Sequence, residues 1–262
     1  MSARVWSVLL VVVAYAILLA WMGWLPTTSI ASWQREHLHW NYALQSLFFI
    51  IPLSILATRL RRLADYGLVW SEPRLHARLA VMLVIVLVLL PIAITALFGR
   101  LALDRTFAAF PLSTIVFHFV FSSFGEELFY RGFIQGELNR AFGRPWKIAG
   151  VPFGPGLIVA SLTFAAGHGV PMLGAQVWDP LAVLQTGIFA FFAGLLRERT
   201  GGIFAPAMLH ATIDLNWHWL RLHRVLRIAQ LICTGVALFF ILRWIAIEPA
   251  SDAPEQLQRG DA

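Results

Sequence analysis

Three short polar clusters interrupt an otherwise apolar chain. They are Glu126-Glu127-Leu128-Phe129-Tyr130-Arg131, Phe164-Ala165-Ala166-Gly167-His168 and His210-Ala211-Thr212-Ile213-Asp214. A carboxylate with imidazoles around a water suits general-base hydrolysis, in which the carboxylate takes a proton and positioned donors stabilise the oxyanion. Helical spacing sorts the roles. Glu127 and Arg131 are four apart and share a face, so they can pair. Glu126 points about 100° away from Glu127, lacks that partner, and stands about one turn from Tyr130. His210 and Asp214 are again four apart, and a carboxylate so placed can fix the tautomer and orientation of an imidazole. Two His and one Glu also form a known ligand set for catalytic zinc, so Glu126, His168 and His210 stand as the alternative metal site. Competing chemistries lack their signatures. The chain has no G-x-S-x-G elbow and no H-E-x-x-H pair, and its one Cys, Cys233, has no His near it in sequence.

Ionisable groups in apolar spans need a reason, because each costs roughly 2.5–3.5 kcal/mol at a membrane centre. The chain is such a setting. Of its 262 residues 59% are hydrophobic and 13% charged, with a mean hydropathy of +0.72. A soluble domain cannot bury that much apolar surface, and disordered chains are poor in it. The fold class predicted is all-α, a polytopic membrane bundle of about eight transmembrane helices. Apolar runs place them near 5–24, 40–58, 79–98, 112–133, 155–175, 180–196, 202–220 and 226–247. The first run is too long for a typical signal-peptide core. Gly150, Pro152, Gly154, Pro155 and Gly156 crowd the start of the fifth span, which is the least regular.

The elements divide into N-terminal helices without a motif over 1–110, a motif-bearing core over 111–220, a last span over 221–247 and a flexible polar tail over 248–262. All belong to one structural domain. With the N-terminus inside, 14 of the 20 basic residues fall in inner segments, so the positive-inside rule places both termini in the cytoplasm. The basic balance thus reads as a topology signal, with no nucleic acid as partner. At 1.5 Å per residue, Glu126, His168 and His210 lie about 7, 18 and 12 Å from the cytoplasmic boundary, close enough to ring one cavity. A fifth helix starting at 150 instead of 156 would carry His168 towards the outer surface.

These segments resemble the CAAX-processing and bacteriocin-processing intramembrane proteases, the CPBP or ABI family. The family pattern is E-E-x-x-x-R, then F-x-x-x-H, then H-x-x-x-N or D, here Glu126-Glu127…Arg131, Phe164…His168 and His210…Asp214. The run from Phe192-Ala193-Gly194 through Thr200-Gly201-Gly202 to Ala205-Pro206 is also typical, and the likeness covers roughly 110–220. The resemblance implies an eight-helix glutamic endopeptidase of the bacterial inner membrane that needs no cofactor, although zinc was once assigned to the family. It implies Glu126 as base for the attacking water, with His168 holding or activating that water. His210 and position 214 would line the oxyanion site, with Glu127 and Arg131 in support. The partners implied are the bilayer and a peptide or protein substrate, lipidated or membrane-anchored ones included.

One position departs from the commoner pattern. Asp214 stands where many members have Asn, and an ionised carboxylate can only accept a hydrogen bond. The reading favoured is that Asp214 orients His210 and leaves donation to the imidazole. His118, in the fourth span without a motif, reads as a packing or cavity-wall residue. His218 and His223 read as interface residues, and His37, His39 and His76 as loop residues. The alternative function class is a non-catalytic immunity, chaperone-like or transport protein on the same scaffold.

Overall fold

The computed structural model describes residues 2–58, 63–70, 73–83, 85, 89–97, 109, 111–169 and 178–219, with single positions 235, 239 and 243. These residues are helical apart from one hairpin, as predicted. The helices are α1 (Ala3–Trp24), α2 (Ser29–Leu38), α3 (Tyr42–Thr58), α4 (Pro73–Leu83) and α5 (Leu90–Leu97). There follow α6 (residues 111–142), α7 (Pro155–Gly169), α8 (Pro180–Thr200) and α9 (Phe204–Trp219). Two of them, with the turn after α1 included, are long and apolar enough to cross a membrane outright: Ala3–Thr27 and Pro180–Thr200, with mean hydropathies of 2.5 and 1.5. The chain is an integral membrane protein.

Local chemistry sets the helix ends. Asp179 caps α8 by accepting from the backbone N–H groups of Leu181 and Ala182, with Pro180 at the first helical position. Gly201 ends the same helix at φ 69°, a left-handed conformation that glycine adopts without Cβ strain. Two features depart from the sequence reading. The polar stretch after the first span forms α2, capped by Thr28 on Ala31 N and bent by 111° from α3, where only a loop was expected. The Gly/Pro-rich segment forms a hairpin of β1 (Trp146–Ile148) and β2 (Val151–Phe153), turned at Ala149 and Gly150, both with positive φ. That hairpin takes up the first of the breakers, and α7 starts at Pro155. His76 belongs to α4 and is buried against Trp70, so it is no loop residue. The third span is described as two pieces, α4 and α5. The eighth span and the tail, with Cys233 and His223, lie outside the described residues apart from the three single positions.

The core sits around α6. Phe48 of α3, Phe129, Phe133 and Ile134 of α6, and Phe164 of α7 are buried together with Val11 and Leu18 of α1. Close approach is made possible by small residues. A Cβ on Gly156 of α7 would lie 2.5 Å from the Gln135 carbonyl of α6, and one on Gly125 of α6 would lie 2.5 Å from the Phe49 ring of α3. One end of the bundle is tied by buried carboxylates. Glu137 accepts hydrogen bonds from Ser7 of α1, from Tyr66 and from Arg140, at 3.3, 3.2 and 2.8 Å. Glu198 of α8 accepts from Gln135 and Asn139 of α6 and from Arg144. At the same end Arg4 donates to the Ala141 carbonyl.

Candidate active site

The two adjacent glutamates lie in a helix whose winding changes around them. Residues 117–124 and 128–134 of α6 take wide π turns, and Gly125–Glu127 between them is α-helical. Such turns are rare and recur at functional sites, where they re-aim side chains. Glu126 and Glu127 are both buried and face different partners.

Glu127 is the hub of the buried charges. Its Oε1 accepts from Arg131 Nη1 at 3.0 Å, the pair that the spacing predicts. The same oxygen lies 2.9 Å from His210 Nδ1 of α9. Arg131, fully buried, donates its second terminal nitrogen to the Ala190 carbonyl of α8 at 3.0 Å. Its guanidinium also lies over the rings of Phe164 and Phe189, at 4.6 and 5.6 Å from their centroids. Four helices therefore converge on one ion pair. The pair recruits two further partners, His210 and the Ala190 carbonyl, while Glu127 Oε2 and Arg131 Nε are buried without a hydrogen-bond partner among the described residues.

Of the two carboxylates near His210, Glu127 is the one within hydrogen-bond range. Asp214 Oδ1 stands 3.6 Å from His210 Nε2, the other ring nitrogen, beyond hydrogen-bond range. The four-residue spacing does put Asp214 on the face of His210. The ring, however, turns its Nδ1 across the helix interface to the fixed glutamate. Asp214 Oδ2 instead accepts from Ser122 and Ser123 of α6 at 3.4 and 3.5 Å and lies 3.7 Å from His118 Nδ1. His118, read from sequence as a wall residue, is buried beside Trp40 and within reach of Asp214.

Glu126 occupies the open side. Its Oε2 lies 4.0 Å from His210 Nε2, and its Oε1 lies 3.4 Å from the Ser122 hydroxyl, whose single proton it shares with Asp214. It lines a cavity of about 260 Å³ together with Tyr130, Gly167, His168, Met22, Gln45 and Phe48. His168 stacks on Phe164 with ring centroids 4.4 Å apart and donates from Nδ1 to the Phe164 carbonyl at 2.9 Å. That bond leaves Nε2 of the neutral ring as an acceptor. Glu126 and His168 thus share one cavity, with His210 behind Glu126. The sequence reading missed Ser122, Ser123 and the three cavity residues of α1 and α3. The hydroxyls were legible as polar groups one turn before Glu126, but Met22, Gln45 and Phe48 belong to no motif.

The donor set for zinc does not assemble. Among the described residues no three His, Cys, Asp or Glu side chains gather in a way that could hold a metal ion, Glu126, His168 and His210 included.

No curated protein and no solved structure matches the chain. Residues 108–216 match the family model described as Type II CAAX prenyl endopeptidase Rce1-like. This segment carries all three motifs and every charged side chain of the site, and over it the chain is similar to the Rce1-like CAAX-type membrane proteases.

Proposed function

We propose that the chain is a glutamic intramembrane endopeptidase that cleaves a peptide bond near the C-terminus or leader of a membrane-associated or lipidated substrate. The observation that carries this reading is the shared cavity of Glu126 and His168, with His210 Nε2 4.0 Å from the Glu126 carboxylate. Glu126 takes a proton from a water in that cavity, which His168 Nε2 holds as acceptor. The resulting hydroxide adds to the scissile carbonyl carbon. His210, its Nδ1 donating to Glu127, presents Nε2–H to the oxyanion. Glu126 then returns the proton to the leaving amine, and the C–N bond breaks. Glu127 and Arg131 position His210 and touch no substrate.

The reaction needs no metal in this scheme. Orientation in the bilayer follows the basic residues. Arg4, Arg140, Arg144 and Arg197 lie at the end where α1 starts and α6 finishes, linked there by the bonds of Arg4 to Ala141, Arg144 to Glu198 and Arg197 to the Asp65 carbonyl. The positive-inside rule makes that end cytoplasmic, which supports cytoplasmic termini in a bacterial inner membrane. The family description favours a prenylated C-terminal tail as substrate. The test is hydrolysis of an internally quenched peptide ending in a farnesylated cysteine and three further residues, by the full chain in liposomes. Cleavage by the wild type and its loss in Glu126→Gln are expected; equal cleavage by both would overturn the assignment.

A further inference from the structure

The wall of the cavity opposite the charged residues comes from the N-terminal helices, which carry no motif. Met22 of α1 and Gln45 and Phe48 of α3 form it. Gln45 is its polar member, and among the described residues its Oε1 is buried without a hydrogen-bond partner. Buried amide oxygens are nearly always paired, so an orphan on a residue that lines the cavity asks for a partner from outside the protein. The position of Gln45 is also fixed. Phe49, four residues on and thus on the same face of α3, packs so closely on Gly125 that a Cβ there would lie 2.5 Å from its ring. Gly125 immediately precedes Glu126. Phe48 meanwhile packs against Phe129 and Tyr130, with centroids 5.6 and 6.0 Å away. The stretch of α3 that carries Gln45 is therefore held against the Glu126 segment of α6 by packing on both sides.

We propose that Gln45 is a substrate-binding residue, accepting a backbone N–H of an extended peptide laid between α3 and Glu126, while Met22 and Phe48 hold an apolar side chain beside the scissile bond. The chemistry fits an acceptor set in an apolar wall. A peptide drawn into the cavity leaves water behind, and each of its N–H groups then needs an acceptor that the protein must supply. This inference rests on the hydrolase reading and adds the recognition element that the motif helices lack.

The test pairs Gln45→Met, an unbranched apolar replacement, with the farnesylated quenched peptide and a series of its analogues N-methylated at one backbone nitrogen at a time. With the wild-type chain, one analogue near the scissile bond loses about tenfold in kcat/KM, mostly through KM. Gln45→Met loses about tenfold on the parent peptide and no longer distinguishes that analogue. If the variant shows the same sensitivity as wild type, Gln45 does not read the backbone, and the hydrolase reading survives. If Glu126→Gln cleaves as fast as wild type, the hydrolase reading and this inference fall together. A readout free of activity is the thermal midpoint of the substrate-free protein in detergent. Removing an orphan acceptor leaves the midpoint equal or raises it; a marked fall means that Gln45 Oε1 serves the fold, and overturns the proposal.

Discussion

Glu127 of α6 and His210 of α9 are joined by a 2.9 Å contact between Oε1 and Nδ1, across 83 residues of sequence. Because Arg131 is bonded to the same oxygen, the imidazole is fixed by a carboxylate that is itself fixed. Replacing Glu127 by Ala leaves the fully buried Arg131 cation without its counter-charge, which costs about 3–5 kcal/mol. Thermal unfolding in detergent should show this as a large drop for Glu127→Ala, and a smaller one for Glu127→Gln, which keeps an acceptor.

Arg131→Lys should behave as a damaging change. A lysine ammonium can reach Glu127, but it cannot hold Glu127 and the Ala190 carbonyl with two separate forked nitrogens while its plane lies on Phe164. Cleavage should fall with the stability of the α6–α8 contact, and a variant as stable as wild type by thermal unfolding would contradict the arrangement.

Glu126 should behave differently from its neighbour. Among the described residues its carboxylate bonds to Ser122 alone, and it lines the cavity, so Glu126→Gln should fold and insert normally. Removing the general base should slow hydrolysis about 10²–10⁴-fold. Expression in the membrane and the thermal midpoint, measured alongside, separate this effect from unfolding.

Asp214 is bracketed by Ser122, Ser123, His118 and His210. Asp214→Asn keeps an acceptor for the two hydroxyls and gains a donor, so it should retain or raise proteolysis. Asp214→Ala should lose most of it. Indifference to both changes would remove Asp214 from the site.

Metal dependence has a direct check. With no cluster of three suitable ligands among the described residues, purified protein should carry no stoichiometric zinc, and cleavage should persist in a strong chelator. Zinc at one per chain, with activity lost on its removal and restored on its return, would replace the glutamic scheme by a metal-assisted one.

The sequence by itself determined the helical membrane class and picked out the charged groups. Long apolar runs can only be helices in lipid, and buried ionisable residues stand out against them because each is expensive there. The pairing of Glu127 with Arg131 was legible too, since it follows from a four-residue spacing within one helix. The same spacing puts Asp214 beside His210, 3.6 Å from Nε2, but local periodicity says which groups share a face and not which neighbour from another helix comes closer. Only the tertiary structure decided that Glu127 takes Nδ1. Only the packing of α3 on Gly125 brought Gln45 and Phe48 opposite Glu126. Contacts between helices depend on crossing geometry and on small residues such as Gly125 and Gly156, and no pattern along a single helix encodes them.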